Sequence, residues 1–123
     1  FDRDDNTNAM LSKAKQVAIK EGYQIAFSNP SFEVWFLLHF NNQTTPVENC
    51  EAAIKLLKKK GRLEQYEKNK EVYEQLKPLQ EAAIDRAKKR VAVLQAEHTE
   101  ILSRESNPVT TVAELVEYLN SKQ

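Results

Sequence analysis

The feature that most constrains the fold is the stretch YQIAFSNPSFEVWFLLHF at residues 23–40, where a β-type run turns directly into a helical run. The first part, YQIAFS, is rich in aromatic and β-type residues and ends at Asn-Pro, which predicts a short buried strand. Asn29 then supplies a helix cap and Pro30 the first helical position. The pattern therefore predicts a strand followed at once by a helix over 31–40.

A second helix is predicted before this strand. In NTNAMLSKAKQVAIKEG the apolar residues Met10, Ala14 and Val17 recur at helical spacing, and Gly22 can close the helix. The opening FDRDD is typical of a strand end, although no apolar run precedes it, so we expect the sheet to continue upstream of Phe1. Because parallel strands need a crossover helix, this order predicts a parallel α/β layer.

From Thr45 onward the chain is predicted to be helical. TPVE at 45–48 combines a cap, proline at the first helical position and glutamate at the third, and predicts a helix to about Lys60. Two further helices are predicted on either side of Pro78, which can start a helix but not continue one. TVAE at 111–114 opens the last helix.

This organisation predicts three parts of the chain. Residues 1–45 would form part of an α/β core, and residues 46–106 a helical region. Residues 107–123 would form a C-terminal segment and helix that packs back on the core.

Composition and charge exclude several classes of protein. The chain has 123 residues, is 41% hydrophobic and carries 18 basic and 18 acidic side chains, which predicts one globular domain with no overall field directed at nucleic acid or a membrane. Its longest apolar run, VWFLL, is far shorter than the roughly 20 residues that cross a bilayer. The single cysteine, Cys50, is predicted to be a small core residue. With no visible signal peptide, these features predict a cytoplasmic protein.

The densest acidic cluster is the opening Asp2, Asp4 and Asp5. In an extended segment Asp2 and Asp4 face the same side and Asp5 the other. Like charges held together repel unless a cation or a set of donors neutralises them, and Mg²⁺ prefers such oxygen ligands. A solvated, frayed acidic terminus is the alternative interpretation.

Glu33 lies in the first turn of the predicted helix over 31–40, near the positive end of its dipole. If the strand before it is parallel to FDRDD, both strand ends point to one rim of the sheet, where ligand sites of open α/β folds lie. The polar groups of Ser28 and Asn29 would share this rim and could contact a substrate. Alternatively, Glu33 only complements the helix dipole or pairs with a lysine.

The remaining candidates have structural explanations. His39 has no second histidine or cysteine at metal-ligand spacing, so we predict a structural, partly buried residue rather than a zinc ligand. Trp35, Phe36 and Phe40 recur at helical spacing and are predicted to be core. The basic runs at 55–62 and 86–90 are interleaved with glutamate in neighbouring turns, which favours solvated faces over a nucleic-acid surface.

Four segments together resemble the RloB-like family: FDRDD, SNPSFEVWFLLHF, AIDRAKKR and NPVTTVAELVEYL. Members of that family have a Toprim-related fold and occur in bacterial and archaeal defence loci, often beside an ATPase partner. The resemblance implies a partial Toprim-like parallel sheet that lacks its N-terminal strands, with a mainly helical C-terminal half.

The resemblance also implies a metal-dependent phosphoryl-transfer site. Asp2 and Asp4 would hold Mg²⁺ or Mn²⁺, and we infer that Glu33 is a further catalytic ligand or orienting group. Toprim domains also use a glutamate after an earlier strand. If that segment is absent, we expect weak metal binding and little catalysis by this chain alone.

Two functions of different classes follow. The first is a nuclease or phosphoryl-transfer component of a restriction-linked or abortive-infection antiviral defence system. The second is a non-catalytic partner module, in which the helices from Thr45 onward bind an ATPase, a second copy or nucleic acid. An exposed apolar patch on those helices would favour the second function.

Overall fold

The computed structural model describes residues 1–67 and 71–122. In chain order the helices and strands are α1 (Asn8–Glu21), β1 (Ser28–Asn29), α2 (Glu33–Leu37), α3 (Cys50–Leu57), α4 (Tyr73–Leu76), α5 (Gln80–Ala96), β2 (Val109–Thr110) and α6 (Val112–Asn120). Short 3-10 helices cover Lys77–Leu79 and Arg104–Ser106. The described chain is therefore mostly helical. None of its described helices is both long enough and apolar enough to span a bilayer.

The sheet differs from the predicted one. Strands β1 and β2 pair antiparallel, with Ser28 opposite Thr110 and Asn29 opposite Val109. Parallel pairing is limited to an isolated bridge between Asp2 and Ser28. The prediction of a parallel Toprim-like sheet is therefore wrong for the described residues. The prediction failed because the sequence does not show which strand pairs with β1. In the structure that strand is β2, in the C-terminal segment.

The first helix was predicted well. The side chain of Thr7 accepts a hydrogen bond from the backbone N–H of Met10 and caps α1. Gly22 ends the helix in the left-handed conformation, with φ of 73°, which glycine adopts without steric cost. Of the predicted strand at 23–28, only Ser28 belongs to β1, while residues 23–27 follow no regular element.

The start of α2 differs from the prediction because Asn29 does not cap it. Asn29 lies in β1, and α2 begins at Glu33 after Phe32, which makes no side-chain capping bond. The helix ends at Leu37, and residues 38–40 continue as a turn. Asn29 is therefore a buried residue of the sheet and not the helix cap that its residue type predicted.

Two predicted helix boundaries in the second half are also displaced. Asn49, rather than Thr45, caps α3 by accepting a hydrogen bond of 2.9 Å from the N–H of Ala52. Among the described residues, the helix predicted over 64–77 forms at Tyr73–Leu76, while residues 64 and 65 lie in a turn and residues 66, 67, 71 and 72 have no regular structure. Residues 68–70 of that predicted helix lie outside the described residues.

The C-terminal helix begins where it was predicted, but for another reason. Thr111 makes no capping bond with its side chain. Its hydroxyl instead accepts a hydrogen bond of 2.8 Å from the N–H of Phe27 and donates one of 3.2 Å to the carbonyl of Ile25. Thr111 therefore joins the C-terminal segment to the stretch before β1.

Helix α2 lies between two clusters of buried apolar side chains. Leu37 belongs to a cluster with α3 and with the segments on both sides of it, which contains Leu37, Val47, Ala53, Leu57, Leu63, Tyr66, Val72 and Leu76. The opposite side of α2 packs on α5 and α6 in a cluster of Val34, Trp35, Leu38, Ala83, Ala87, Val112 and Ala113. A third cluster joins α1 to α5 and β2 through Leu11, Phe27, Leu94 and Val109. These contacts fix the position of Glu33 at the start of α2.

Candidate functional site around Glu33 and the acidic N-terminal segment

Backbone hydrogen bonds align the acidic start of the chain with the stretch around β1. The N–H of Arg3 donates to the carbonyl of Ser28 at 2.8 Å, and the N–H of Ser28 donates to the carbonyl of Phe1 at 3.0 Å. The N–H of Asp4 donates to the carbonyl of Pro30 at 3.3 Å. FDRDD and SNPSFE therefore lie side by side. The sequence analysis expected these two segments to meet at one edge of the sheet.

The extended conformation stops at Asp4. This residue has φ of 40°, and Asp4 and Asp5 form a turn. Asp2 is half-buried, whereas Asp4 and Asp5 are exposed. The alternation rule that assigned Asp2 and Asp4 to one face applies only to extended backbone, so it does not hold across this turn.

Glu33 is a buried carboxylate with only 2% of its surface exposed. The hydroxyl of Ser31 donates to its Oε1 at 2.9 Å, and the phenol of Tyr66 donates to its Oε2 at 2.7 Å. The thiol of Cys50 lies 3.5 Å from Oε1. Glu33 thus does more than complement a helix dipole, because it contacts the neighbouring Ser31 and two side chains that are distant in sequence, Cys50 and Tyr66.

Tyr66 is the partner that the sequence did not indicate. Burial raises the pKa of its phenol, and the hydrogen bond to Glu33 and the charges of Glu33, Cys50 and Asp2 raise that pKa further. The phenol therefore remains protonated and acts as a donor. Tyr66 was missed because its segment was predicted only to be a helix, with no candidate site residue in it.

Ser28 and Asn29 lie at the junction of the two segments but are buried, with 1% and 0% exposure. The hydroxyls of Ser28 and Thr110 are hydrogen-bonded at 2.8 Å across the sheet. The amide nitrogen of Asn29 donates to the carbonyl of Ser103 at 2.9 Å and to the hydroxyl of Ser106 at 3.1 Å. These contacts give both residues structural partners, and their predicted contact with a substrate stays a prediction.

The structure also locates the other two candidate side chains. His39 is buried, its Nδ1 lies 2.9 Å from the carbonyl of Trp35, and burial lowers its pKa, which fits the structural role that was predicted. Cys50 is half-buried rather than a full core residue. It lies instead between Glu33 and a surface pocket of about 380 Å³ that Asp4, Asp5 and Glu51 also line.

The carboxylates at this edge have the donor chemistry that Mg²⁺ prefers. Within residues 1–67 and 71–122, no three histidine, cysteine or acidic side chains are grouped closely enough to form a metal site by themselves. Magnesium, however, usually takes only one or two carboxylates and completes its shell with water and substrate phosphates. The structure places Asp2 half-buried beside Ser28 and Asp4 in the exposed turn, and the binding of Mg²⁺ by these two residues stays a prediction.

The family model described as RloB-like protein matches residues 1–119, and the chain belongs to this family. The resemblance on FDRDD and SNPSFEVWFLLHF is therefore confirmed at the level of the family. Neither the curated proteins nor the solved structures gave a match.

Proposed function

We propose that this RloB-like protein is a magnesium-dependent phosphoryl-transfer component that acts on phosphodiesters of nucleic acid. The observation that carries the proposal is the alignment of FDRDD with SNPSFE through the Asp2–Ser28 bridge, which brings an acidic turn next to a buried, hydrogen-bonded glutamate. The setting we propose, restriction-linked or abortive-infection antiviral defence, rests on the family resemblance alone.

Asp2 and Asp4 would hold the divalent cation, Mg²⁺ or Mn²⁺. When bound, such an ion polarises a phosphate and stabilises the charge that develops on its oxygens. Asp2 approaches the site from the strand end, and Asp4 from the exposed turn. Asp4 makes no salt bridge in the part of the chain that the structure describes, and its exposed carboxylate can reach a cation.

Glu33 has a positioning role in this proposal. The hydroxyls of Ser31 and Tyr66 donate to its two carboxylate oxygens, and these bonds hold the carboxylate in one orientation beside the acidic segment. Because the carboxylate is already oriented, it needs little reorganisation when charge develops nearby.

The test is binding of Mn²⁺, followed by water proton relaxation, which also detects weak sites. Wild-type protein should bind Mn²⁺, and the double variant Asp2→Asn with Asp4→Asn should lose this binding while it keeps its helical circular dichroism spectrum. Glu64→Gln, an exposed acidic residue in a turn outside the site, is the matched control and should bind as wild type does. Unchanged binding in the double variant, or none in the wild type, would refute the metal site.

One observation favours a second function, that of a partner module. Side chains of α1 and the stretch after it form an apolar groove of about 730 Å³ lined in part by Phe1, Met10, Val17 and Tyr23. These four side chains are 51%, 57%, 48% and 68% exposed. Exposed apolar side chains also occur on the helices from Thr45 onward, among them Leu115, Tyr118 and Leu119 of α6, and the predicted binding of a partner by those helices stays a prediction.

The partner module is tested by coexpression with the ATPase that members of this family often have beside them. Copurification that is lost in Val17→Glu but kept in Val93→Glu would support it. Val93 is a suitable control because it is equally exposed, at 46%, and lies on α5 away from the groove. Copurification that is absent, or equal in both variants, would exclude this groove as the ATPase contact.

A further inference from the structure

Arg3 is a buried arginine that forms no salt bridge in the part of the chain that the structure describes. Only 8% of the residue is exposed. Its Nη2 donates to the carbonyl of Glu48 at 2.9 Å and its Nε to the carbonyl of Asp4 at 3.1 Å. Across the described residues its Nη1 makes no hydrogen bond, and no carboxylate lies within ion-pair distance of it. Nη1 is not among the buried atoms that lack a partner, so it is accessible and can donate to a ligand.

Arg3 lines the pocket of about 380 Å³ at the acidic turn, together with Asp4, Asp5, Pro30, Asn49, Cys50 and Glu51. Helix α3 begins at this pocket, with Asn49 as its cap. The N-terminal end of a helix carries partial positive charge and unpaired N–H groups, which favour an anion. The Arg3 side chain and the start of α3 therefore offer donors to the same space.

A second guanidinium lies near the first. Burial lowers the pKa of Arg3, and the positive charge of Arg104 lowers it further, while Asp4 and Asp5 act in the opposite direction. Arg104 donates to the carbonyls of Asp4 and Asn6 at 3.0 and 2.8 Å, so it is fixed beside the acidic turn. An anion in the pocket would relieve the repulsion between the two arginines.

The same pocket contains three carboxylates, those of Asp4, Asp5 and Glu51, which oppose a free anion. A pocket that combines a desolvated arginine with several carboxylates suits a phosphate that arrives with a divalent cation. The carboxylates then face the cation, and the guanidinium faces the phosphate oxygens, for which its planar fork is well shaped.

We propose that Arg3 is a substrate-binding residue that holds a phosphate group of the nucleic-acid substrate in this pocket. The identity of the substrate as nucleic acid rests on the proposed function. The phosphate contact rests on the surroundings of Arg3 in the pocket. A phosphate could come from the nucleic-acid backbone or from a chain end, and both share this chemistry.

The experiment measures binding of two probes to the full chain by phosphorus NMR, with and without Mg²⁺. Inorganic phosphate represents a terminal phosphate, and a short single-stranded oligonucleotide without terminal phosphates represents the backbone. Arg3→Gln should weaken the binding of at least one probe by about tenfold or more, as expected for loss of a hydrogen bond to a charged group. Arg62→Gln, a partly buried arginine outside the pocket, should bind as wild type does.

Circular dichroism shows whether Arg3→Gln folds, since this residue also holds the carbonyl of Glu48. If it does not fold, Arg3→Lys is compared instead, and it should also bind more weakly because one ammonium cannot replace the fork. Binding equal to wild type in the folded variant, or no binding of either probe to wild type, overturns the inference. If phosphate binding depends on Arg3 but the protein binds no Mn²⁺, the inference about Arg3 is supported and the proposed metal site is refuted.

Discussion

At the scale of single residues, the arrangement around Glu33 explains why an acid is tolerated among aromatic side chains. A buried carboxylate without donors would cost several kcal/mol, on the order of the penalties for unsatisfied charged groups. Here the hydroxyls of Ser31 and Tyr66 donate to it, at 2.9 and 2.7 Å. Because Tyr66 belongs to the apolar cluster around α3, the hydrogen bond also joins that cluster to the start of α2.

The contribution of this bond can be measured with Tyr66→Phe, which removes the hydroxyl and keeps the ring. One donor to a buried carboxylate is then missing, and we expect the free energy of unfolding to fall by about 1–3 kcal/mol. Urea denaturation followed by circular dichroism gives this difference. The control is Tyr73→Phe, at an exposed tyrosine, which should change stability by less than about 0.5 kcal/mol. Equal losses in both variants would contradict a special role for the Tyr66 hydroxyl.

His39 predicts a dependence of stability on pH. Burial lowers its pKa in the folded protein, so the neutral ring is favoured there and the unfolded chain binds the proton more readily. Stability is therefore fully present above the ordinary histidine pKa of about 6.5 and is lost as pH falls through and below it, by at most about 1.4 kcal/mol per pH unit.

Urea unfolding between neutral and mildly acidic pH should show a shallower loss in His39→Gln than in the wild type. His98→Gln should keep the wild-type slope, since His98 lies in the turn after α5 rather than in the core. Identical slopes for wild type and His39→Gln would show that other groups cause the acid loss.

At the scale of elements, the local patterns predicted helices better than they predicted the sheet. Capping and periodicity identified α1 and the position of α6, because these signals lie within a few neighbouring residues. Strand β1 pairs with β2, in which Thr110 lies opposite Ser28 and Val109 opposite Asn29. These residues are far apart in the sequence, and no local pattern specifies their pairing.

The same limit applies to the candidate site. The opening FDRDD and the stretch SNPSFE were recognised from their residue types, and their alignment followed from a strand-order argument. Tyr66 and Arg3 were not recognised, because a tyrosine in a charged segment and an arginine between aspartates have no distinctive spacing. Their roles depend on burial, which arises only when distant segments pack.

We expect Asn29 to stabilise the fold, because it lies in β1 and its side chain is hydrogen-bonded in the interior. Its amide nitrogen donates to the carbonyls of Ser103 and Arg104 and to the hydroxyl of Ser106, while its Oδ1 is buried without a partner in the described residues. Asn29→Ala should lower the free energy of unfolding by roughly 2–3 kcal/mol, since it removes the hydrogen bonds that this buried amide donates.

Asn29→Asp should destabilise the protein more than Asn29→Ala, because it places a negative charge against carbonyl oxygens. Asn120→Ala is the matched control: this exposed asparagine bonds only to Gln80 in the described residues. Thermal unfolding ranks the variants, and an Asn29→Asp protein as stable as wild type would be inconsistent with the amide orientation described above.

At the scale of the whole molecule, α2 connects two of the three apolar clusters. Leu37 packs in the cluster around α3, whereas Trp35 packs in the cluster with α5 and α6, and Phe36 contacts both. Since α2 has only five residues, loss of packing on one of its sides removes part of the support for the other. This geometry favours a single cooperative unfolding transition over independent unfolding of the two halves.

Leu57→Ala tests this coupling, because Leu57 is fully buried in the α3 cluster and the single tryptophan, Trp35, reports from the other. The truncation leaves a cavity and should cost about 2–5 kcal/mol. If the clusters are coupled through α2, tryptophan fluorescence and far-ultraviolet circular dichroism shift to the same lower urea midpoint. Leu115→Ala, at an exposed leucine of α6, should move neither signal by a comparable amount. A circular dichroism transition that shifts while the Trp35 transition keeps its wild-type midpoint would show that the clusters unfold separately, and that Glu33 is positioned from the α5 and α6 side alone.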